Sequence, residues 1–251
     1  MSNKRGQTTG FVIIGIVILA VIILLLFLRG QFFFGPTEKT LESRMDAVRD
    51  HYKSCLNDLV PDYLSRIGLQ GGHLKTPGGT FRLREDIPVS YLCYNIPEKA
   101  TCANRLLTIN MMEGELDDAI KQGLATCINV NKFGRGIDLS VGSLNVDVTI
   151  GEDVTEVAVN QKVTLRRGDI TLSEDQFLED FEVPLGRLYD VSQDIIDIET
   201  TYGEFEQLTY MLAHKGQYII DKKRPYPDKL YILQTKDNDY VFQFLIQDEP
   251  G

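Results

Sequence analysis

The chain has 251 residues, with 36 acidic and 26 basic side chains, a formal charge of −10, four cysteines and no tryptophan. A surface this negative opposes nucleic acid and anionic lipid, which excludes both as partners of the part exposed to water. Only three histidines occur, His51, His73 and His214, each alone in its segment and none spaced from another as metal ligands are.

Residues 1–9 form a short tail carrying Lys4 and Arg5, and residues 10–34 read as one membrane span. Its centre, Phe11 to Leu28, is eighteen residues without a charged or hydrogen-bonding side chain. As a helix that run is roughly 27 Å long, close to the hydrocarbon thickness of a bilayer. The basic tail places the N-terminus in the cytoplasm and the domain after Arg29 outside. A core helix of a soluble protein would carry a polar stripe, and a cleaved secretory signal would end in small residues. Arg29-Gly30-Gln31-Phe32-Phe33-Phe34 follows instead, so a retained anchor is expected.

Lys4-Arg5-Gly6-Gln7 resembles the archaeal class III signal of type IV pilin-like proteins, in which processing falls between Gly6 and Gln7. The bacterial version of that pattern has a glutamate where this chain has Phe11. The plainer reading is that Lys4 and Arg5 set topology and Gly6 belongs to the tail.

Gly35-Pro36 ends the span, and residues 35–136 read as a region of helices and loops that holds the cysteines. Leu41, Met45, Val48, Tyr52, Cys55 and Leu59 alternate four and three apart, one face of a helix that Pro61 interrupts. The glycine-rich stretch Gln70 to Thr80 offers backbone N–H groups, with His73 and Lys75, for a phosphate or carboxylate. It lacks the parts of a P-loop, and two turns bounding a hairpin are the simpler expectation. Val89 to Tyr94 reads as a strand. Glu113 to Cys127 reads as a helix with Leu116, Ala119, Ile120 and Leu124 inward.

Cys55, Cys93, Cys102 and Cys127 are an even set in a domain placed outside the membrane, which suggests two disulfides with three connectivities open. Cys93 and Cys102 flank a short turn region and suit a local staple, which leaves Cys55 with Cys127. No pair has the spacing of a zinc knuckle.

Residues 137–251 read as an antiparallel sheet with a covering helix. From Leu144 the period is two. Val146, Val148 and Ile150, then Thr155, Val157 and Val159, then Val163, Leu165, Ile170 and Leu172 give a meander with one buried face, closed by Phe177 and Phe181. A long helix is expected from Leu185 to about His214, with Leu188, Val191, Ile195, Ile198, Tyr202, Phe205, Leu208 and Leu212 on the sheet. Two strands, Leu230 to Gln234 and Tyr240 to Ile246, end the domain. The turn Lys236 to Asp239 lacks the ligands of a calcium loop. Arg166-Arg167 and Lys222-Lys223-Arg224 read as solvated turns.

No GxSxG elbow, HExxH, Walker loop or dinucleotide fingerprint occurs. The acidic pairs Asp117-Asp118, Glu152-Asp153, Glu174-Asp175 and Glu179-Asp180 are neighbours in sequence, whose side chains point apart in a helix or strand. No catalytic, cofactor-binding or metal-ligating residue is assigned, and no cofactor is expected.

GQTTGFVIIGIVIL near the N-terminus, Ser54 to Gly72 and Val183 to Ile196 resemble a family of uncharacterised single-pass membrane proteins from small, host-dependent archaea of the DPANN type. The matching pieces are spread over much of the chain, though Arg82 to Asn110 contributes little. Cys55 lies inside one piece and the other cysteines do not, so the resemblance leaves their pairing open. It implies an archaeal cell-surface setting and supplies no catalytic residues.

The expectation is thus an α+β protein with an N-terminal transmembrane helix and an extracytoplasmic domain of amphipathic helices packed on an antiparallel β-meander. Its function would be a non-enzymatic interaction or adhesion domain held at the cell surface. Its partners would be the bilayer, through the N-terminal helix, and a protein or further copies of itself, with no nucleic acid. Two rivals stand beside it: a type IV pilin-like filament subunit and an envelope hydrolase.

Overall fold

The computed structural model describes residues 17–24, 36–95 and 102–247, with side chains from Thr40 onward in the helix that starts at Pro36. Residues 17–24 are helical, and Val17, Ile18, Leu19, Val21, Ile22, Ile23 and Leu24 are each 47–59% exposed. Among the described residues no helix is long and apolar enough to cross a membrane. Most of the expected span, and Gly6-Gln7, lie outside the described residues.

The remainder is α+β. Helix α1 spans Pro36–Leu69, β1 Phe81–Arg84, β2 Ile87–Tyr94, β3 Ala103–Asn104 and α2 Ile109–Cys127. A short 3-10 turn, Val130–Phe133, precedes β4 (Asp138–Val141), β5 (Asn145–Ile150), β6 (Thr155–Arg167) and β7 (Ile170–Phe181). The chain continues with α3 (Leu185–Tyr202), α4 (Gln207–Ala213), β8 (Tyr218–Lys223), β9 (Lys229–Thr235) and β10 (Asn238–Ile246).

Helix α1 buries Leu41, Met45, Val48, Tyr52 and Cys55, the seam its spacing predicts. It does not stop at Pro61 but runs through it for 34 residues. A proline inside a helix costs about 3 kcal/mol, and burying Leu56, Val60, Leu64 and Ile67 on either side, at about 1.5–3 kcal/mol each, outweighs that. Gly71 and Gly72 then end the helix with positive φ, and the Gly72 N–H donates to Ile67 O at 2.7 Å. They are a helix terminus rather than one end of a hairpin. Helix α2 starts earlier than its periodicity suggested, at Ile109, with the Thr108 side chain accepting from the Met111 N–H.

The meander forms as expected at β5, β6 and β7, with β4 added beside β6. Val157 to Leu165 is one strand rather than two, and a register shift between Asn160 and Val163 absorbs the break in alternation. Its inner face packs on α1 and α2. Tyr52 stacks on Phe177 with ring centroids 3.9 Å apart, and its hydroxyl donates to the buried Gln161 at 2.5 Å. Burial pushes the Tyr52 phenol up to about 12. The free edge of β5 is closed by α2. The Val148 N–H donates to Asp117 at 2.6 Å and the Ile150 N–H to Glu113 at 2.9 Å, two carboxylates one helical turn apart meeting alternate strand residues.

A second sheet has the order β1-β2-β10-β9-β8, with β3 also on β2. Strands β2 and β10 run parallel, so the regions 35–136 and 137–251 share this sheet. Helix α3 lies here, against β2, β3, β9 and β10, and not on the meander, whose inner face α1 and α2 already fill. Nor is α3 continuous to His214. Gly203 ends it in the left-handed region, φ 77°, donating to Glu199 O at 2.9 Å, and a turn leads into α4. Of the expected seam beyond that point Phe205 is buried, whereas Tyr202, Leu208 and Leu212 are 63–80% exposed.

Candidate functional site

Two faces of the second sheet differ in what covers them. The α3 side belongs to the main core. The other side holds a small cluster of its own, Val89, Leu230 and Leu245, with Ile87, Tyr91 and Ile232 packed around it. Period-two alternation puts these residues on one face of β2, β9 and β10. No helix covers them among the described residues. Instead β1 folds back on β2 through Glu85 and Asp86, both at positive φ, a two-residue hairpin of the primed type.

Strand β1 then carries two arginines over that face. Arg82 pairs with Val89 and Arg84 with Ile87 in the ladder, so both share the side of the small cluster. Arg82 Nη1 donates to Asp228 Oδ2 at 2.9 Å and to Pro225 O at 3.2 Å, which ties β1 to the loop between β8 and β9. Asp228 is buried and also accepts from the Tyr91 hydroxyl at 2.7 Å. Burial, and then this bond to a carboxylate, raise the Tyr91 pKa. Arg84 Nη1 donates to Gln243 Oε1 at 2.9 Å, and Gln243 in turn donates to Leu69 O at the end of α1.

Between β1 and the end of β8 lies an open groove of about 400 Å³. Val89, Leu230 and Leu245 line its floor, and Arg82, Arg84, Lys223 and Arg224 its rim, with no carboxylate among the lining residues. Arg82, Lys223 and Arg224 are ion-paired with Asp228, Asp221 and Glu204, so most of the rim's charge is offset within the chain.

On the α3 side of the same sheet, behind the groove floor, lies a buried polar network. Glu199, near the end of α3, accepts from Lys229 at 2.8 Å, from the Phe205 N–H at 3.2 Å and from the Tyr231 hydroxyl. Lys229 is 3% exposed and also donates to Gly203 O at 2.6 Å. Glu204 accepts from Lys222, from Arg224 at 2.6 Å and from Lys229 at 3.2 Å. Burial opposes the Glu204 charge, but the bonds from Lys222 and Lys229 prevail and hold its carboxyl at about 2. Burial likewise works against the charge of Lys229, and the bonds to Glu199 and Glu204 more than offset it, so its pKa is raised. Lys222 is therefore no solvated turn residue. Its side chain is 10% exposed and fixes the α3–α4 turn to β8 through Phe205 O at 2.6 Å. Arg166 and Arg167 are exposed, as their reading as solvated turn residues expects.

The other residues singled out from sequence fall elsewhere. Cys55 bonds Cys127 with Cα atoms 5.9 Å apart, and Cys93 bonds Cys102 with Cα atoms 5.3 Å apart. The first ties α1 to the end of α2, and the second bridges β2 to the residue before β3. The glycine-rich loop does hold a carboxylate, that of Glu115 from this chain's own α2. The Leu74 N–H donates to Glu115 at 2.6 Å and His73 Nδ1 lies 3.4 Å from it. His51 accepts from the Asn129 N–H at 3.2 Å, and His214 stacks on Tyr210, so the histidines occupy three separate settings. Asp117 is spent on the Val148 N–H while Asp118 is exposed. Among the described residues no group of three His, Cys, Asp or Glu side chains is placed to hold a metal ion.

Sequence reasoning missed the groove because its sides come from segments about 140 residues apart. The available signals were the alternation Arg82-Leu83-Arg84 and the cation run ending at Arg224. Comparison with known proteins gives no match to any family model, curated protein or solved structure.

Proposed function

We propose that this chain is a cell-surface protein, anchored in the membrane by its N-terminal apolar segment, whose outer α+β domain is a non-enzymatic binding module. The groove carries the reading: an open, apolar-floored groove whose rim side chains are held in place by partners within the chain is built to receive a partner rather than to transform one. The placement draws support from the helix at 17–24, whose apolar side chains are exposed along its whole length. A helix apolar on every side suits lipid or another helix rather than water. Two disulfides in one domain are consistent with an oxidising compartment outside the cytoplasm. An archaeal surface, implied by the resemblance of the N-terminal piece, Ser54 to Gly72 and Val183 to Ile196, belongs to the same reading.

Labelling intact cells with a membrane-impermeant amine reagent tests it. The domain is expected to label without detergent and to stay in the membrane fraction through a high-salt wash. Labelling only after lysis, or release by salt, would overturn the reading. The filament-subunit alternative is favoured by one feature, the docking of α1 on an antiparallel sheet after an apolar helix. N-terminal sequencing separates the two: a mature chain beginning at Gln7 supports the filament, an intact Met1 the static anchor.

A further inference from the structure

Strand β8 is the outer strand of its sheet and, among the described residues, pairs only with β9. The Lys236 N–H donates to Gln217 O at 2.9 Å, which makes that opposed pair a hydrogen-bonded one. Alternation along an antiparallel ladder then turns the N–H and C=O groups of Ile219, Asp221 and Lys223 toward β9. Those of Tyr218, Ile220 and Lys222 point the other way, along the open edge. An edge of this kind is a template on which another extended chain can add a strand.

Helix α4 lies over that edge. Gln207, Tyr210, Met211 and His214 recur at three and four, one face of the helix, and all four are half-buried. The Met211 thioether accepts from the Ile220 N–H at 3.3 Å. Tyr210 and His214 pack toward Tyr218, with ring centroids 6.4 and 5.7 Å from it.

The cover is lightly held. None of the seven residues of α4 is buried, and Leu208 and Leu212 are exposed where an amphipathic helix would turn such residues inward. Gln207 Oε1 is buried without a hydrogen-bond partner among the described residues, and a thioether is a weak acceptor for the Ile220 N–H. Opening returns both groups to water. One side-chain bond latches α4 to α3, the Tyr210 hydroxyl donating to Asp194 Oδ2 at 2.7 Å. Phe205, buried just ahead of α4, anchors its start. Lys215 and Gly216, at φ 55° and 70°, form a joint at its end, where a Cβ on Gly216 would meet nothing within 4 Å.

We propose that α4 is a strap over the β8 edge, anchored at Phe205, jointed at Lys215-Gly216 and latched by Tyr210 on Asp194. Closed, as here, it keeps β8 from accepting a further strand. Released, it bares the outward groups of Tyr218, Ile220 and Lys222 while β8 stays paired with β9. The control is a contact within the chain and holds whatever the groove on the other face receives.

Amide hydrogen exchange on the full chain in detergent micelles, read by NMR, tests this. Ile220 is expected to exchange by local opening that low urea does not accelerate, whereas Asp221 and Ile232, bonded across β8 and β9, wait for the sheet to open. Tyr210→Ala, which removes the latch, should speed exchange at Ile220 about tenfold and leave Asp221 and Ile232 unchanged. Gln207→Leu, which removes the orphaned acceptor from the closed state, should slow it about threefold or more. Circular dichroism checks that each variant is folded. Exchange at Ile220 that tracks Asp221 in urea, or Tyr210→Ala speeding all three amides alike, would make α4 a fixed part of the core and overturn the proposal. An Ile220 rate that either folded variant leaves unmoved would do the same.

Discussion

Replacing Lys229 with Met keeps the length of the side chain and removes its charge. Glu199 is 2% exposed at the side chain and would keep the Phe205 N–H and the Tyr231 hydroxyl as donors while losing its cation. Gly203 O would lose a donor as well. Breaking a buried pair on one side costs about 3–5 kcal/mol, because the remaining charge stays out of water. For a domain of this size that is a fall in Tm of about 6–20 °C, at about 2–4 °C per kcal/mol. The raised pKa of Lys229 means its contribution is fully present below its unfolded value of about 10.4 and is lost as pH rises through the folded one. The deficit should therefore be flat between about pH 6 and 9. Urea unfolding followed by far-UV circular dichroism, with disulfides intact and the m-value unchanged, reads it directly. The double variant Lys229→Met/Glu199→Leu removes both charges but strands the Phe205 N–H and the Tyr231 hydroxyl, at about 1–3 kcal/mol each. It should lose less than the two single variants summed, with a coupling of about 0.5–3 kcal/mol. A single-variant loss under about 1 kcal/mol, or simple additivity, would show that water reaches the network and refute this account.

The disulfides should differ in worth. Cys55–Cys127 closes 72 residues and Cys93–Cys102 closes 9, so chain entropy assigns about 4 and about 2.5 kcal/mol respectively. Paired Cys→Ala variants in chemical denaturation give the two losses, and a larger loss from the shorter loop would rule out the entropic reading. His51 should give the fold an acid-side slope. Burial, and then the Lys132 charge, lower its pKa, and its neutral ring accepts from the Asn129 N–H. A depressed pKa contributes stability above the unfolded value of about 6.5 and loses it as pH falls through the folded one. Stability measured from pH 7 to 5 should therefore drop in the parent and less so in His51→Gln, and parallel curves would remove His51 as the cause.

Local periodicity carried much of the architecture. The seam from Leu41 to Cys55, the inward set Leu116, Ile120 and Leu124, and the alternation from Val146 to Leu165 are all buried as their spacing demands. These are contacts in which each residue's face follows from its own neighbours. What spacing could not give is long-range pairing. Strands β1 and β8 are short and half charged, FRLR and YIIDKK, so the strand-favouring Phe81, Tyr218, Ile219 and Ile220 make too short a run to mark them as sheet. Each is recruited by a partner, β1 by β2 and β8 by β9. The break between α3 and α4 had a legible signal in Gly203, which a continuous three-and-four spacing through Tyr202 and Phe205 concealed. The groove depends on both recruited strands and on Arg82 reaching Asp228, so it could not be assembled from either segment alone.

Strand β10 follows β9 in the chain and lies in the interior of its sheet, between β9 and β2. A ribosome releases the chain from its N-terminal end, so β1, β2 and β3 wait without their central neighbour until β10 has emerged. Helix α3, which leans on β2, β9 and β10 together, waits with them. The sheet is therefore continuous only once β10 pairs with both β9 and β2. A chain without β10 would leave β2 and β9 lacking the ladder partners that join them.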